Sequence, residues 1–314
     1  MEASLNKQAT EDLSLYGLFS LLFKNWLIIT IAGFTCAIVA AIWAIQQPNI
    51  YKSETLLMPA NSSSSGLGGL SSSLGGLGGM ASLAGISLPE SGNDNSKLAL
   101  ALLESYDFLG EFIENNDMLI PLMASEGWDL ASDKLIINPN IYDEQNKKWV
   151  RQVKLPLQAK PSTQEAYKEL KKLMSVDQQS KSKFVHLSIK FYSPKLASEW
   201  TNKLVVSINE RLRNVDMLQS QKSIDYLNNL VKKSPQVKLQ EVFSSLLEEQ
   251  IKSKMLTEVR NDYVFKVVDK AIVPELKHEP SRALIVIIAG FLGGIIGIII
   301  VLYRSGRTSH NTAK

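Results

Sequence analysis

Residues 283–303 read ALIVIIAGFLGGIIGIIIVLY and contain no charged side chain. A second run of this kind, LIITIAGFTCAIVAAIWAI, occupies residues 27–45 near the other end of the chain. A helix of about 19 residues is roughly 28 Å long, which matches the hydrocarbon core of a bilayer. Because lipid offers the backbone no hydrogen-bond partners, both runs are predicted to be transmembrane helices.

A cleaved signal peptide is the alternative interpretation of the first run. Signal peptides begin with a basic region and end at a small-x-small cleavage site. Here Glu2, Glu11 and Asp12 precede the run and outnumber the lysines, and residues 42–47 contain no such site. The sequence therefore favours a retained anchor.

The charges of the C-terminal tail predict the topology. Arg304, Arg307 and Lys314 lie in a tail without acidic residues, and short basic tails stay in the cytoplasm. Two spans then place the N-terminus on the same side and the long central segment in the periplasm. The predicted organisation is a cytoplasmic tail at 1–25, transmembrane helices at 26–46 and 283–303, a periplasmic domain at 47–282 and a cytoplasmic tail at 304–314.

Several segments between the two runs alternate apolar and polar residues, as half-buried strands do. The clearest is FVHLSIKF at 184–191, where Val185, Leu187, Ile189 and Phe191 share one face. The predicted strands are 51–59, 135–137, 150–155, 184–191 and 263–268.

Other segments repeat apolar residues at helical spacing. One helix is predicted at 96–115. Ser162 followed by Glu165 is a capping box, which predicts a second helix running to about Met174. Between strand and helix, residues 61–92 are rich in Gly, Ser and Leu and predict a mobile loop. That loop is interpreted either as an adaptable surface near the membrane or a partner chain, or as a passive linker.

A much longer helical pattern begins at Ser193-Pro194 and continues to residues 232–235, and a second amphipathic stretch follows at 239–259. Together they predict a helical arm at 194–260, about 60 Å long in its first helix. An arm of this length has little of its own domain to pack against, so neighbouring copies are its natural partners. The predicted fold class is α+β, with two transmembrane helices flanking a periplasmic α/β base and a long protruding helical arm.

The residues give no sign of a catalytic, cofactor or metal site. The chain has 314 residues and a formal charge of +3, which argues against a nucleic-acid partner. His186, His278 and His310 lack ligand spacing. No GxxxxGK[ST] sequence is present, so no kinase-type phosphate loop is expected.

Five features together resemble the Wzz chain-length-determinant type of polysaccharide co-polymerase. They are the two end-placed spans, YKSETLLMP at 51–59 with the glycine-rich stretch after it, LLESYDFLGEFIENND at 102–117, the Ser-Pro start of the long helix, and NDYVFKVVDKAIVPELKHEPSRALIVIIAGFLGG at 261–294. The most specific part is the proline-containing entry to the second span, Pro274 and Pro280. Lys270 departs from the pattern, since proline is expected before Ala271.

The resemblance implies a homo-oligomeric ring, with an octamer as the subunit number to test. Its implied partners are the O-antigen polymerase and a lipid-linked polysaccharide in the bacterial inner membrane. The implied role is non-catalytic control of O-antigen chain length in lipopolysaccharide. A capsule or exopolysaccharide export ring shares this architecture and remains the alternative, with an extracytoplasmic sensor as a third class.

Small residues in the two spans are candidates for close helix packing. Their spacing matches GxxxG and small-xxx-small patterns, which allow helix backbones to approach in a membrane. The alternative is that glycine is simply common in membrane helices. The candidate packing residues are Gly290, Gly293, Gly294 and Gly297 in the second span and Gly33, Ala37 and Ala41 in the first.

Overall fold

A computed structural model describes residues 23–60, 91–180, 182–233 and 236–311. Most of the predicted loop at 61–92 and of the N-terminal tail, together with Ser234-Pro235, the side chains of residues 304–311 and residues 312–314, lies outside the described residues. The chain divides into two compact units. Unit 1 comprises residues up to Asn49 and from His278 onward, and unit 2 comprises Ile50–Lys277.

Unit 1 contains the two apolar helices, α1 (Trp26–Gln46) and the C-terminal helix Arg282–Asn311. Both are long and apolar enough to cross a membrane, the second over Arg282–Tyr303. Large apolar side chains such as Phe34 and Phe291 point outward from the pair. This is the reverse of a water-soluble arrangement and fits a lipid surround. The predicted spans are thus continuous helices.

Unit 2 is built from eight strands and six helices in its described part. Its strands are β1 (Tyr51–Pro59), β2 (Ser125–Asp129), β3 (Lys134–Ile137), β4 (Tyr142–Asp143), β5 (Lys148–Trp149), β6 (Met174–Gln178), β7 (Val185–Phe191) and β8 (Phe265–Asp269). Its helices are α2 (Ser91–Leu103), α3 (Tyr106–Asn115), α4 (Leu119–Ala124), α5 (Thr163–Leu173), α6 (Pro194–Lys233) and α7 (Val237–Val259), and the C-terminal helix of unit 1 is α8.

The main sheet has the order β6–β7–β1–β8 and is antiparallel throughout. β1 pairs with β7 from Tyr51 opposite Phe191 to Leu57 opposite Val185. One end of the sheet, here called the Tyr51 end, therefore holds the start of β1 and the finish of β7. The sequence predicted three of these strands but missed β6.

The core is formed by one face of this sheet, the first half of α6 and buried residues of helices α2 to α5. The alternating residues of β7 predicted to share a face are all buried. Opposite them, α6 buries Leu204 and Ile208, and the rings of Phe191 and Trp200 have centroids 4.5 Å apart. Apolar burial of this extent is the main favourable term for the fold of unit 2.

Helix α6 begins as predicted, with Pro194 as its first residue and the Ser193 hydroxyl accepting a hydrogen bond from the Leu196 N–H at 3.3 Å. It then runs for 40 residues. α7 returns alongside it: Lys254 Nζ donates to Gln221 Oε1 at 2.7 Å. The two helices form an antiparallel hairpin, here called the arm. The predicted α+β fold class with a long helical arm is confirmed.

A buried asparagine joins the arm helix to the sheet. Asn209 Oδ1 accepts hydrogen bonds from the N–H groups of Val264 and Phe265, and its Nδ2 donates to the Phe265 carbonyl, each at 2.9 Å. Asn209 is only 5% exposed. Since water cannot replace these bonds easily, the side chain fixes the return of the chain from α7 into β8.

Two secondary-structure predictions were wrong. Residues 150–155 form no strand; Arg151 instead closes a loop by donating to the carbonyls of Gln158 and Ala159, each at 2.8 Å, and to Glu165. The predicted helix 96–115 is broken at Glu104–Ser105, because Ser105 caps a new helix by accepting from the Phe108 N–H. The capping box at Ser162 and Glu165 is confirmed.

Replacing Asn209 by alanine is expected to destabilise unit 2 by about 2–4 kcal/mol, since it leaves three buried backbone groups without partners. The thermal unfolding midpoint of the full chain in detergent should fall by several degrees. Asn214→Ala is the matched control, because Asn214 is exposed on the same helix. Equal midpoints for the two variants would contradict this role for Asn209.

The Arg151 guanidinium donates to both oxygens of Glu165, at 2.8 and 2.9 Å, and lowers the pKa of that carboxyl to about 2. A folded-state pKa below the usual 4.5 stabilises the fold above pH 4.5, and this contribution is lost as the pH falls toward 2.

Glu165→Gln keeps the capping pattern but removes the charge. It is expected to lower stability at pH 7 by about 1 kcal/mol and to have progressively less effect below pH 4.5. Thermal unfolding of both proteins between pH 7 and pH 2.5 measures this. Glu169→Gln, which removes only an exposed pair with Lys172, serves as the control. A penalty that does not change with pH would contradict the assignment.

Candidate functional site

The two apolar helices of unit 1 approach each other closely at their glycines. A methyl group placed on Gly293 would lie 2.7 Å from Cys36 Cβ and 2.8 Å from the Ala32 carbonyl oxygen. One placed on Gly297 would lie 2.8 Å from Ile29 Cα. Neither site can take a side chain without moving the helices apart, which is how small residues act in membrane helix pairs.

The same contact continues along the helix pair at Gly33 and Gly290. A methyl group on Gly33 would lie 3.2 Å from the Gly290 carbonyl oxygen and 3.6 Å from the Gly294 nitrogen. Conversely, a methyl group on Gly290 would lie 3.7 Å from Ala37 Cβ. Ala41 is half-buried. Most of the candidate packing residues thus lie between α1 and α8.

Gly294 differs from the other glycines, because a methyl group on it would meet nothing within 4 Å. Three residues of α1 that face Gly293 and Gly297 were not among the candidate packing residues: Ile29, Ala32 and Cys36. Ala32 and Cys36 are small residues at i and i+4, so the small-xxx-small spacing used for Gly33 and Ala37 also indicates them.

Arg282 forms hydrogen bonds at the end of the helix pair where α1 finishes and α8 begins. Its Nε donates to the Ala44 carbonyl at 3.1 Å, and its Nη2 donates to the Gln47 carbonyl at 3.4 Å and to Asn49 Oδ1 at 3.1 Å. The last carbonyls of a helix lack intrahelical partners and carry partial negative charge. The guanidinium satisfies them, a role not predicted from its position beside the second span.

Pro274 belongs to unit 2 and Pro280 to unit 1. Pro274 follows a segment of unit 2 that is held to α6 at Ala271, whose carbonyl accepts from Ser198 Oγ at 2.9 Å and from Asn202 Nδ2 at 2.8 Å. Pro280 is half-buried and lies two residues before the start of α8 at Arg282. Each proline lies where the chain ends one packed segment before starting another.

The arm presents apolar side chains that unit 2 does not cover. Beyond Leu212, α6 exposes Val215, Leu218 and Tyr226, with Leu218 65% exposed. On α7, Thr257 alone among the described residues is buried. The exposed apolar residues of α7 are Val237, Leu239, Val242, Leu246, Ile251, Met255, Leu256 and Val259. Apolar exposure on this scale is typical of a protein interface.

A polar cleft of about 240 Å³ lies between α3 and α6. At its edge, Arg211 Nη2 donates to Asp107 Oδ2 at 2.9 Å and Nη1 donates to Glu111 Oε2 at 3.0 Å. Glu114 accepts from the Thr163 hydroxyl at 2.6 Å. Asp107, Glu111 and Glu114 therefore each accept a hydrogen bond from a side-chain donor.

In the part of the chain that the structure describes, no group of three or more His, Cys, Asp and Glu side chains could hold a metal ion. His186 Nδ1 lies 2.5 Å from Glu54 Oε1, and its Nε2 lies 3.1 Å from Gln179 Nε2. This histidine therefore belongs to a cross-strand polar network on the open face of the sheet.

Alanine at Gly293 is expected to separate α1 from α8 and to destabilise unit 1 by about 1–3 kcal/mol, the usual range for overpacking. Gly294→Ala is the matched control, one residue away and facing open space. Thermal aggregation of the two variants in the same detergent measures the difference. A Gly293→Ala protein as stable as Gly294→Ala would contradict the observed contact.

Two family models match the chain. The model "Chain length determinant protein" matches residues 11–116, and the model "G-rich domain on putative tyrosine kinase" matches residues 233–306. Together they cover more than half of the chain. The first includes α1 and β1, and the second includes α7, β8 and most of α8.

No curated protein sequence matches the chain. Among solved structures, a full-length bacterial polysaccharide co-polymerase is similar over 94% of this chain and 98% of its own length, at 13% sequence identity and a TM-score of 0.39.

Proposed function

Because the chain belongs to the Wzz chain-length-determinant family of polysaccharide co-polymerases, we propose that it regulates the chain length of O-antigen in lipopolysaccharide. It acts without forming or breaking bonds itself. It works beside the O-antigen polymerase on a lipid-linked polysaccharide in the bacterial inner membrane. The basic C-terminal tail supports cytoplasmic ends and a periplasmic unit 2.

The observation that carries this proposal is the apolar exposure of the arm. α6 is 40 residues long, yet its buried residues end at Leu212 apart from Ile224. Beyond Leu212, Val215 and Leu218 line the open cleft beside α3 and remain exposed, and α7 exposes most of its own apolar side chains. A second copy of the chain, with the same two faces, supplies complementary apolar surface.

We infer that copies of the chain assemble into a closed ring through these arms. A ring gives every arm two neighbours, whereas a symmetric dimer would cover one face only. An octamer is the subunit number to test. Control of polymer length then follows from the assembled ring and its polymerase partner.

The match of residues 233–306 to a domain described on tyrosine kinases favours a second candidate. In this alternative, the chain is an inner-membrane ring component of a capsule or exopolysaccharide export system. The two functions differ in what remains when the protein is lost: a length regulator leaves polymer of altered length, whereas an exporter leaves none at the surface.

Deleting the gene is expected to replace the preferred band cluster of surface lipopolysaccharide by a broad distribution of lengths on a gel. Complete loss of surface polymer would favour the export function. An unchanged pattern would contradict both.

Complementation with Leu218→Asp tests the arm within the same experiment. This change puts a charge into the exposed apolar surface, so it should prevent assembly and fail to restore the band cluster. Gln219→Asp adds the same charge at the neighbouring exposed position and should restore it. Cross-linking of both variants in membranes reports assembly directly, and equal assembly would contradict the role of Leu218.

A further inference from the structure

Four large apolar side chains are exposed near one end of unit 2. Leu276 is 84% exposed, Leu130 76%, Ile272 74% and Val273 52%. Single exposed apolar residues are ordinary, but a group contributed by separate segments of the chain indicates a contact surface. None of the four lies on the arm, so the proposed ring contact does not account for them.

The path of the chain after β8 locates three of them. β8 runs antiparallel to β1. The Thr55 hydroxyl donates to the Asp269 carbonyl, and the Ser53 hydroxyl donates to the Ile272 carbonyl, both at 2.7 Å. As the residue number rises after β8, its partner in β1 moves toward the first residue of that strand. The residues that follow therefore continue to the Tyr51 end of the sheet.

Leu130 lies at the same end, in the turn between β2 and β3. The ring of Trp128 meets the ring of Tyr51 edge-on, with centroids 5.7 Å apart. On the other side of the turn, Asp133 Oδ2 lies 3.6 Å from Lys195 Nζ, in the first turn of α6. Both contacts hold the turn beside the start of β1 and the start of α6.

The chain enters and leaves unit 2 at this end as well. Only residues 47–50 separate α1 from β1, and only residues 278–281 separate Lys277 from α8. An extended chain advances at most about 3.6 Å per residue, so each connection spans less than about 20 Å. When both apolar helices are in a bilayer, these two short connections keep the Tyr51 end of the sheet close to lipid.

We propose that the four exposed side chains, here called the apolar foot, insert into the interfacial layer of the bilayer that holds the two spans. The nearby charges are mixed: they include Lys134, Lys195, Lys270 and Lys277 as well as Asp129, Asp133 and Glu275. The contact is therefore driven by apolar burial and does not require an anionic lipid. Trp128, beside the foot, is a residue type favoured at such interfaces.

The test uses the full chain in lipid nanodiscs of phosphatidylethanolamine and phosphatidylglycerol. Cys36→Ala removes the chain's only cysteine and keeps the Cβ that packs on Gly293. Single cysteines at Leu276 or Leu130 then carry a polarity-sensitive fluorophore. The emission of both is expected to shift to the blue and to be quenched several-fold by lipids spin-labelled near the top of the acyl chain.

Two control positions distinguish insertion of the foot into lipid from exposure to water and from proximity to the bilayer surface. Leu155→Cys lies in the Arg151 loop, by the start of α5, and is 93% exposed, so its fluorophore should stay in water. Glu275→Cys adjoins Leu276 but carries a charge in the native chain, and its emission should shift less. Ile272→Cys replaces Leu276→Cys if the latter fails to fold.

Each alternative result overturns the proposal. Quenching at Leu276 and Leu130 no stronger than at Leu155 would show that the foot remains in water. A blue shift without quenching by lipid would show that a second copy of the chain covers it. Equal shift and quenching at Glu275 would show that this end is near the bilayer without inserting the apolar side chains.

Discussion

The packing of the first half of α6 against β1 and β7 is the contact on which the rest of unit 2 depends. It buries the apolar face of the central strand pair and fixes the direction in which α6 leaves the sheet. Through Asn209 it also holds the start of β8, the last strand before the second apolar helix. One helix, α6, thus contacts the sheet, forms half of the arm and holds β8. Loss of its packing would destabilise all three.

The second half of α6 is largely exposed, whereas one face of the first half is buried. An antiparallel pair of helices can bury one face of each partner, but both outer faces of the arm remain uncovered. α7 carries leucine, valine and methionine on those faces, although a solitary arm in water would favour polar residues there. The side chains at its tip, Lys232 and Lys233, are charged and exposed, as expected of an end that stays in solvent.

Uninterrupted apolar runs predicted the spans, and periodic apolar patterns predicted β7 and the arm, because each depends mainly on the hydrophobicity of nearby residues. The two wrong secondary-structure predictions have a local cause, because side-chain hydrogen bonds there override the apolar pattern. Ser105 interrupts a stretch whose apolar spacing would continue as one helix, and Arg151 draws residues 150–155 into a loop through bonds to carbonyls and Glu165. The foot could not be predicted, since Leu130 and Leu276 are distant in sequence; the β1–β8 register brings the segment of Leu276 to the Tyr51 end, and the contact of Trp128 with Tyr51 brings that of Leu130.

The structure shows which helix the glycines of the second span face, and their spacing in the sequence does not. Spacing alone does not determine whether Gly293 and Gly297 face the first span or another membrane helix. In the structure both lie against α1, where an added methyl group would meet its backbone or its Cβ atoms below 3 Å. A further membrane helix could use these two positions only by displacing α1 from them, which would expose close-packed backbone and lose the contact. Any membrane helix that packs on the intact pair must therefore use outward-facing residues of α1 or α8, such as the large apolar side chains Phe34 and Phe291.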